Sequence, residues 1–218
     1  MAATRPTLYT TARSANGRKP LVVSRHLGLD PERLLVVEVD VYRGEGRSPE
    51  YLAINPWGKI PTLVDGDLTL WESNAIAQYL SEAYGDWRLS ARDPRVRADI
   101  ARWLFWEASR WQPALVPLLT DHVGLLLRGR IEEAEAVEVA WSDPGFRTLA
   151  SFLDRHLTKR ETLVGDELTL ADVCVGAMLM YVRRTRFPFA ELPALAAWYE
   201  RLASIEAWQA TAIAPFEG

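Results

Sequence analysis

Residues 47–80 read RSPEYLAINPWGKIPTLVDGDLTLWESNAIAQYL and carry the clearest structural pattern of the chain. The pair Asp65-Gly66 lies between two apolar runs and predicts a hairpin, because glycine supplies the positive φ that a tight turn needs. The strands of that hairpin are predicted at 62–64 and 68–71, which are rich in β-branched and aromatic residues. A helix is predicted from Ser73, because apolar residues follow it at helical spacing: Ala75, Ile76, Tyr79, Leu80 and Ala83.

The start of this helix places an acid beside a hydroxyl, Glu72 and Ser73. The first turn of a helix leaves backbone N–H groups free and carries a partial positive charge, so it attracts carboxylates. Ser73 can add a hydroxyl donor there, while Glu72 can hold an ammonium group nearby. The pair therefore indicates a site for a small molecule that has both groups. The alternative is that Ser73 only caps the helix.

Ile60-Pro61 comes just before the first strand of the hairpin. Proline cannot donate to a sheet ladder and is tolerated at the first residue of a strand or on an edge. A cis bond here would turn the N–H and C=O of Ile60 outward, open to an extended peptide-like ligand. An ordinary trans proline at a sheet edge is the alternative.

These motifs together resemble the glutathione-binding half of the cytosolic glutathione transferases, in particular the bacterial phi-, theta- and nu-like groups. The matching positions are Asn55, Pro56, Gly58, Ile60, Pro61, Leu63, Asp65, Gly66, Glu72, Ser73, Ala75, Ile76, Tyr79 and Leu80. The resemblance implies a cis Ile60–Pro61 bond, with the Ile60 backbone pairing with the cysteinyl part of glutathione. It also implies that Glu72 and Ser73 hold the γ-glutamyl end. It further implies that Lys59 contacts the ligand and that Arg47 meets its glycyl carboxylate.

The resemblance places the catalytic group in the loop before the first helix, where the chain reads Ser14-Ala15-Asn16-Gly17. Ser14 is the predicted hydrogen-bond donor to the glutathione sulfur, and Asn16 is the second candidate. Both residues are also good helix caps, which is the alternative. Pro20 lacks the N–H that would bond to Asn16 and crowds that carbonyl. We therefore expect the first helix to start at or after Gly17, or to be distorted there.

The composition of the 218 residues excludes several classes of protein. A net charge of −4 without a basic patch argues against nucleic acid, and 49% hydrophobic residues suffice for buried cores. A single cysteine, Cys174, excludes internal disulfides and lies in an apolar helical stretch, so we expect it to be buried. The three histidines have no metal-ligand spacing, and no metal is expected. No apolar run approaches a membrane span and no leader is evident, so a cytoplasmic protein without a membrane segment is expected.

The chain changes character after Tyr84. Residues 1–84 are predicted to form an α/β, thioredoxin-like domain of order βαβ–α–ββα, residues 85–94 a linker, and residues 95–218 an all-helical domain. Helices are predicted at 95–120, 128–140 and 146–159, and Thr169-x-x-Asp172 predicts a capping box for a buried helix. The second domain loosely follows the same family pattern. An aromatic electrophile pocket is expected where the domains meet, with Trp57, Trp106 and Trp111 as candidates and an ordinary core role as the alternative.

The resemblance implies conjugation, in which bound glutathione thiolate attacks a small apolar electrophile. Two alternatives stay open. The resemblance to nu-like members with an Asn at the position of Asn16 implies glutathione-dependent disulfide or peroxide reduction. The family also includes non-enzymatic proteins that bind a hydrophobic ligand or a partner chain. A homodimer is implied by the resemblance.

Overall fold

The computed structural model describes residues 5–136 and 141–212. These residues divide into two compact units, each with its own core: unit 1 comprises residues 5–92 and Glu206–Ala212, and unit 2 comprises residues 93–136 and 141–205. The predicted bounds, 1–84 and 95–218 with a linker between them, differ from this division in two ways. Residues 85–92 belong with unit 1, and the chain returns to that unit at Glu206.

Unit 1 is built on a four-stranded sheet of order β2-β1-β3-β4. Its strands are β1 (Thr7–Thr10), β2 (Leu35–Glu38), β3 (Thr62–Asp65) and β4 (Leu68–Trp71), and only the β1–β2 pair is parallel. Its helices are α1 (Ala15–His26), α2 (Pro49–Ile54) and α3 (Ser73–Tyr84), with 3-10 turns at Val41–Arg43 and Glu45–Arg47. The predicted thioredoxin-like order βαβ–α–ββα is confirmed, and so is the start of α3 at Ser73.

The prediction for the start of α1 is wrong. The helix begins at Ala15 and continues through Pro20 to His26. Pro20 removes one bond of the helical ladder, but two other bonds anchor this first turn. The N–H of Gly17 donates to Ser14 Oγ at 3.2 Å, and Thr10 Oγ1 donates to the Gly17 carbonyl at 2.9 Å. The start of α1 is thus fixed by its cap and by the end of β1.

The hairpin between β3 and β4 turns at Gly66, where φ is +60°, and Asp67. Asp65, just before the turn, accepts hydrogen bonds from the hydroxyls of Tyr79, at 2.7 Å, and Tyr84. Burial raises the pKa of both phenols, and the Asp65 carboxylate raises it further. These contacts tie the hairpin to α3, so the two ends of this motif keep a fixed relation.

The regular elements in the described residues of unit 2 are all helical. Its helices are α4 (Pro94–Trp106), α5 (Gln112–Leu127), α6 (Ile131–Glu135), α7 (Pro144–Leu157), α8 (Leu170–Ala177) and α9 (Pro193–Ala203). Short 3-10 turns lie at Val182–Arg184 and Phe189–Glu191. The predicted run from 95 to 120 is interrupted by a π-helical turn at Glu107–Trp111, and the predicted helix 128–140 is shorter, with 137–140 outside the described residues. Among the described residues, the helices lack the length and apolar content to span a membrane.

The capping box predicted at Thr169 and Asp172 is present at the start of α8. Asp172 is 1% exposed and accepts four hydrogen bonds, from Thr169 N–H and Oγ1 (both 3.0 Å), Leu163 N–H (2.8 Å) and Trp198 Nε1 (2.9 Å). Burial raises its pKa, and these donors oppose that rise. Asp172 therefore joins α8, α9 and the preceding loop, beyond its role as a cap. Cys174, in the same helix, is fully buried as predicted.

The segment 206–212 contains α10 (Glu206–Gln209) and packs on α1 within unit 1. Arg18, 3% exposed, holds it: its guanidinium donates to the Trp208 carbonyl at 2.7 Å and to Thr211 Oγ1 at 3.2 Å. The guanidinium carbon also lies 4.3 Å from the centroid of the Trp208 ring, a cation–π contact.

Candidate functional site

Three segments of unit 1 end at the same edge of the sheet. Tyr9 of β1 pairs with Thr62, the first residue of β3, and Thr62 pairs with Trp71, the last residue of β4. The loop after β1, the residues before β3 and the residues after β4 therefore meet there. These are the segments that carry Ser14 and Asn16, Ile60 and Pro61, and Glu72 and Ser73. The sheet register thus gathers most of the predicted site residues at one edge.

The Ile60–Pro61 peptide bond is cis. The loop before it is braced from within by a buried amide and a phenol. Asn55, 1% exposed, donates from Nδ2 to the Lys59 carbonyl at 2.8 Å and to Thr62 Oγ1 at 2.9 Å. The Tyr51 hydroxyl donates to the same carbonyl at 2.7 Å and lies 2.9 Å from Thr62 Oγ1. Burial raises the pKa of Tyr51, which keeps it a donor.

The brace satisfies the Lys59 carbonyl and leaves the next residue open. Across the described residues, neither the N–H nor the C=O of Ile60 makes a hydrogen bond, and its side chain is half-buried. An unpaired donor and acceptor beside a strand can bind an extended backbone segment of a ligand. Asn55 therefore fixes the backbone of this loop, and Ile60 carries the backbone groups that stay open.

Arg47 lies beside this loop. Gly46 and Gly58 approach so closely that a Cβ on Gly58 would lie 2.5 Å from the Gly46 carbonyl and 3.5 Å from Arg47 Nη1. Both glycines are needed for that approach. Arg47 and Lys59 are exposed, so two cations flank the open backbone of Ile60.

Glu72 precedes α3 with φ +75° and ψ 113°, an uncommon conformation for a residue with a side chain. Its side chain is exposed and makes no capping hydrogen bond, whereas Ser73 is 8% exposed. The first backbone bond of α3 runs from Ile76 N–H to the Glu72 carbonyl at 3.0 Å. The N–H groups before Ile76 are thus those of a helix start, which attracts anions.

Ser14 and Asn16 occupy the start of α1, and both are half-buried. Ser14 Oγ caps the helix as an acceptor from Gly17 N–H at 3.2 Å, and it donates no hydrogen bond to another described residue. Asn16 Oδ1 accepts from Ser73 Oγ at 3.2 Å. That hydrogen bond joins the starts of α1 and α3.

Lys19 is a residue of this site that the sequence analysis missed. It is 1% exposed, and its ammonium donates to Asn74 Oδ1 at 3.1 Å and to Ser73 Oγ at 3.4 Å. A lysine directly before Pro-Leu-Val-Val on the inner part of a helix was the available signal, since lysine is seldom fully buried without a partner.

The three tryptophans proposed as pocket residues are divided between the two units. Trp57, 61% exposed, belongs to unit 1 and packs edge-on against Trp71, with 6.2 Å between ring centroids. Trp106 lines a recess of about 200 Å³ in unit 2 with Arg102, Trp103, Phe152 and His156. Trp111 has no exposed surface and stacks between Trp106 and Phe146. The pocket assignment of Trp111 is therefore corrected to a core role, because a fully buried ring offers a ligand no surface.

Among the described residues, no three His, Cys, Asp or Glu side chains are grouped so that they could hold a metal ion. The acid, hydroxyl, open backbone groups and cations at the edge of the sheet have the chemistry to pair with a zwitterionic, peptide-like molecule.

Comparison with protein families gives two matches. Residues 6–82 match the model of the glutathione S-transferase N-terminal domain, and residues 107–206 match that of the C-terminal domain. Glutathione S-transferase 3 of Zea mays is 35% identical over 217 residues, which cover 95% of this chain and 93% of that protein. Glutathione S-transferase GstB of Escherichia coli K12 is 31% identical over 201 residues, which cover 90% and 92%.

Solved structures agree with these matches. A theta class glutathione S-transferase from Xanthomonas axonopodis pv. citri, with glutathione bound, has a TM-score of 0.79 and 29% identity and covers 97% of this chain and 99% of its own. Glutathione transferase F7 from Populus trichocarpa has a TM-score of 0.78 and 28% identity, covering 95% and 97%.

Proposed function

The chain belongs to the glutathione S-transferase family, and on that premise we propose that it conjugates glutathione to small apolar electrophiles. The thiolate sulfur forms a bond to an electrophilic carbon, and a leaving group such as halide departs. The observation that carries the proposal is the hydrogen bond between Asn16 and Ser73, because it joins the helix start that carries the thiol-activating candidates to the acid–alcohol pair.

Each end of glutathione has a complementary group in unit 1. Glu72 pairs with the ammonium of the γ-glutamyl end, and Ser73 with the backbone N–H groups at the start of α3 receives its carboxylate. The open N–H and C=O of Ile60 pair with the cysteinyl backbone. Arg47 and Lys59 attract the glycyl carboxylate, which fits their exposure beside that loop.

Ser14 is the proposed donor to the sulfur. A hydroxyl has one proton and two lone pairs, so Ser14 can accept from Gly17 N–H and still donate to a thiolate. The capping role and the catalytic role are therefore compatible. One charge-assisted hydrogen bond contributes about 1.5–3 kcal/mol, which corresponds to a fall of about one to two units in the pKa of the thiol.

The test is turnover of glutathione with 1-chloro-2,4-dinitrobenzene by the wild-type chain, Ser14→Ala and Asn16→Ala. We expect Ser14→Ala to lower kcat/KM by about ten- to hundred-fold, matching the loss of that one hydrogen bond. The pH dependence of kcat/KM should move upward with the pKa of the bound thiol. Full turnover in both variants contradicts the assignment of the sulfur contact, and no turnover in the wild type with any haloarene contradicts conjugation.

One observation supports a second reaction, reduction of disulfides or peroxides. The Asn16 amide is held by Ser73 through its oxygen, so its NH₂ group can donate to a sulfur. In that reaction one glutathione attacks a disulfide sulfur and a second releases the mixed disulfide as oxidised glutathione. Turnover of 2-hydroxyethyl disulfide, lost in Asn16→Ala and retained in Ser14→Ala, with no haloarene activity, would decide for it.

We also infer a cytoplasmic homodimer, an inference that rests on the family. The exposed pair Trp57 and Trp71 supplies an apolar surface of the kind that associating proteins bury. Analytical ultracentrifugation of the wild type and of Trp57→Ser/Trp71→Ser tests it. A dimeric wild type and a monomeric variant support this surface as the interface, whereas a monomeric wild type contradicts the homodimer.

A further inference from the structure

Arg13 comes directly before Ser14, and its side chain is held against the residues that follow β2. β1 and β2 are parallel neighbours, with Thr10 opposite Glu38, so the loop after β1 lies beside the segment after β2. Arg13 Nη2 lies 2.7 Å from Asp40 Oδ2 and 3.5 Å from Glu38 Oε1. The loop that carries the proposed sulfur donor is therefore bound to the segment after β2 by ion pairs.

Asp40 is itself fixed in place. It is 8% exposed, and its Oδ1 accepts from the N–H of Tyr42 at 3.1 Å and from the N–H of Arg43 at 3.2 Å. Burial acts to raise the pKa of Asp40, but Arg13 and these two N–H groups outweigh it and hold the pKa below its ordinary value. The carboxylate is therefore charged at neutral pH, and it offers Arg13 a partner with a defined orientation.

The same carboxylate residue is connected to the turn that ends at Arg47. The Asp40 N–H donates to Glu45 Oε2 at 2.6 Å, and the Glu45 N–H donates to the Asp40 carbonyl at 3.2 Å. Glu45 begins the 3-10 turn Glu45–Arg47. The pair of Arg13 and Asp40 thus lies between the proposed sulfur donor and the cation proposed for the glycyl carboxylate.

We propose that Arg13 is a positioning residue of the conjugation reaction, which with Asp40 holds the Ser14 loop where its hydroxyl reaches the glutathione sulfur. The inference rests on the proposed function and adds to it a residue that acts through Ser14 without touching the ligand. The alternative is an ion pair that only stabilises the fold. Such a pair would leave the pKa of the bound thiol unchanged, whereas a displaced Ser14 hydroxyl stabilises the thiolate less.

The experiment measures the pKa of the thiol of bound glutathione from the ultraviolet absorbance of its thiolate, together with kcat/KM for 1-chloro-2,4-dinitrobenzene. The proteins are the wild type, Arg13→Gln, Asp40→Asn and the double variant. Asparagine caps as well as aspartate, so Asp40→Asn removes the charge and keeps the acceptor of the turn. We expect each single variant to raise the pKa of the bound thiol by about one unit and to lower kcat/KM about ten-fold at neutral pH. The double variant should change neither quantity further, because the two residues act as a pair.

Arg43→Gln is the matched control. Arg43 Nε lies 3.7 Å from the same carboxylate, but its side chain is 85% exposed and it lies outside the Ser14 loop. This variant should match the wild type. Arg13→Lys keeps the charge without the planar fork and should recover part of the loss.

The direction of the shift separates positioning from a direct effect of charge. Acting on the sulfur through charge alone, loss of the Arg13 cation would raise the thiol pKa and loss of the Asp40 anion would lower it. Opposite shifts, additive shifts or an equal shift in Arg43→Gln therefore overturn the inference. Asp40→Ser, which also caps well, replaces Asp40→Asn if that variant does not fold.

The wild type distinguishes this inference from the function on which it rests. A wild-type chain that binds no glutathione overturns the proposed function and the role of Arg13 with it. Binding and turnover by the wild type, with an unchanged thiol pKa in the folded variants, overturn only the role of Arg13.

Discussion

The side-chain amide of Asn55 donates to the carbonyl of Lys59 at 2.8 Å, one residue before the cis Ile60–Pro61 bond. This hydrogen bond and the one from Tyr51 close the loop on itself. The neighbouring Ile60 backbone then remains for a ligand. Asn55, with 1% of its surface exposed, thus shapes the Ile60 backbone without offering a ligand a surface of its own.

Asn55→Ala should therefore impair glutathione binding, because it loosens the loop that presents the Ile60 backbone. It removes three side-chain hydrogen bonds, to the Lys59 carbonyl, to Thr62 Oγ1 and from the Trp57 N–H, and we expect the unfolding free energy to fall by about 1–3 kcal/mol. The KM for glutathione should rise about ten-fold with a smaller change in kcat, because ground-state binding is lost. Steady-state kinetics with Gln78→Ala as an amide control checks this, and an unchanged KM in Asn55→Ala contradicts the brace.

Glu72 combines a strained backbone with an exposed carboxylate. Two substitutions distinguish the effect of the strain on stability from the effect of the charge on binding. Holding a residue that has a side chain in such a conformation costs about 1–3 kcal/mol of folding free energy. Glu72→Gly should relieve that strain and raise the melting temperature, while Glu72→Gln should leave it unchanged. Both should weaken glutathione binding, since both lose the charge that meets the ammonium. Thermal unfolding and calorimetry test the pair, and a lower melting temperature for Glu72→Gly argues against strain.

Arg18 should stabilise unit 1 through segment 206–212. Arg18→Ala removes two charge-assisted hydrogen bonds and a cation–π contact, and we expect a loss of about 2–4 kcal/mol. Arg18→Lys keeps the charge but loses the planar fork, so it should recover only part. Hydrogen exchange should accelerate at the amides of 206–212 in both variants. Unchanged protection there contradicts the role of Arg18.

Asp172 should matter more than an ordinary helix cap. A lost cap costs about 1 kcal/mol, but Asp172→Asn also turns one amide group toward buried donors that need an acceptor. We expect a loss of about 2–3 kcal/mol in unfolding free energy. Thr169→Ser keeps the acceptor geometry and serves as the control in denaturant unfolding. A loss near that of a simple cap would show that the donors from Leu163 and Trp198 contribute little.

His26 predicts a pH dependence of stability. Burial lowers its pKa below the ordinary 6.5, and the charge of Arg88 lowers it further. Below pH 6.5 the unfolded chain binds a proton at His26 more readily than the folded chain does. The stability that neutral His26 contributes is therefore complete above pH 6.5 and is lost as the pH falls through the pKa of the folded state. The melting temperature of His26→Gln should fall less between pH 7.5 and 5.5 than that of the wild type. An imidazole NMR titration midpoint at or above 6.5 contradicts the shift.

Local signals predicted the hairpin, the start of α3 and the capping box well. Gly66 and Thr169 act on their immediate neighbours, so spacing alone revealed them. The start of α1 was mispredicted because Pro20 signals a lost bond, whereas the compensating contact of Gly17 comes from Thr10 on a strand.

The remaining differences depend on contacts between distant parts of the chain. Lys19 is buried because α3 lies against it. The sequence around residue 19 gives no sign that residue 73 will contact it. The return of residues 206–212 to unit 1 likewise depends on Arg18, about 190 positions earlier. Trp111 and Trp106 have similar sequence surroundings, and only the packing of unit 2 separates the core ring from the one at the recess.

The docking of Trp208 and Thr211 on Arg18 makes unit 1 discontinuous along the chain. During synthesis the ribosome completes the sheet and α1 early, but the residues that cover Arg18 emerge only after the whole of unit 2. Until then Arg18, which is buried in the folded protein, stays exposed, and unit 1 reaches its full stability only once residues 206–212 have docked. Residues 1–92 expressed alone would keep Arg18 exposed, because they lack the segment that covers it.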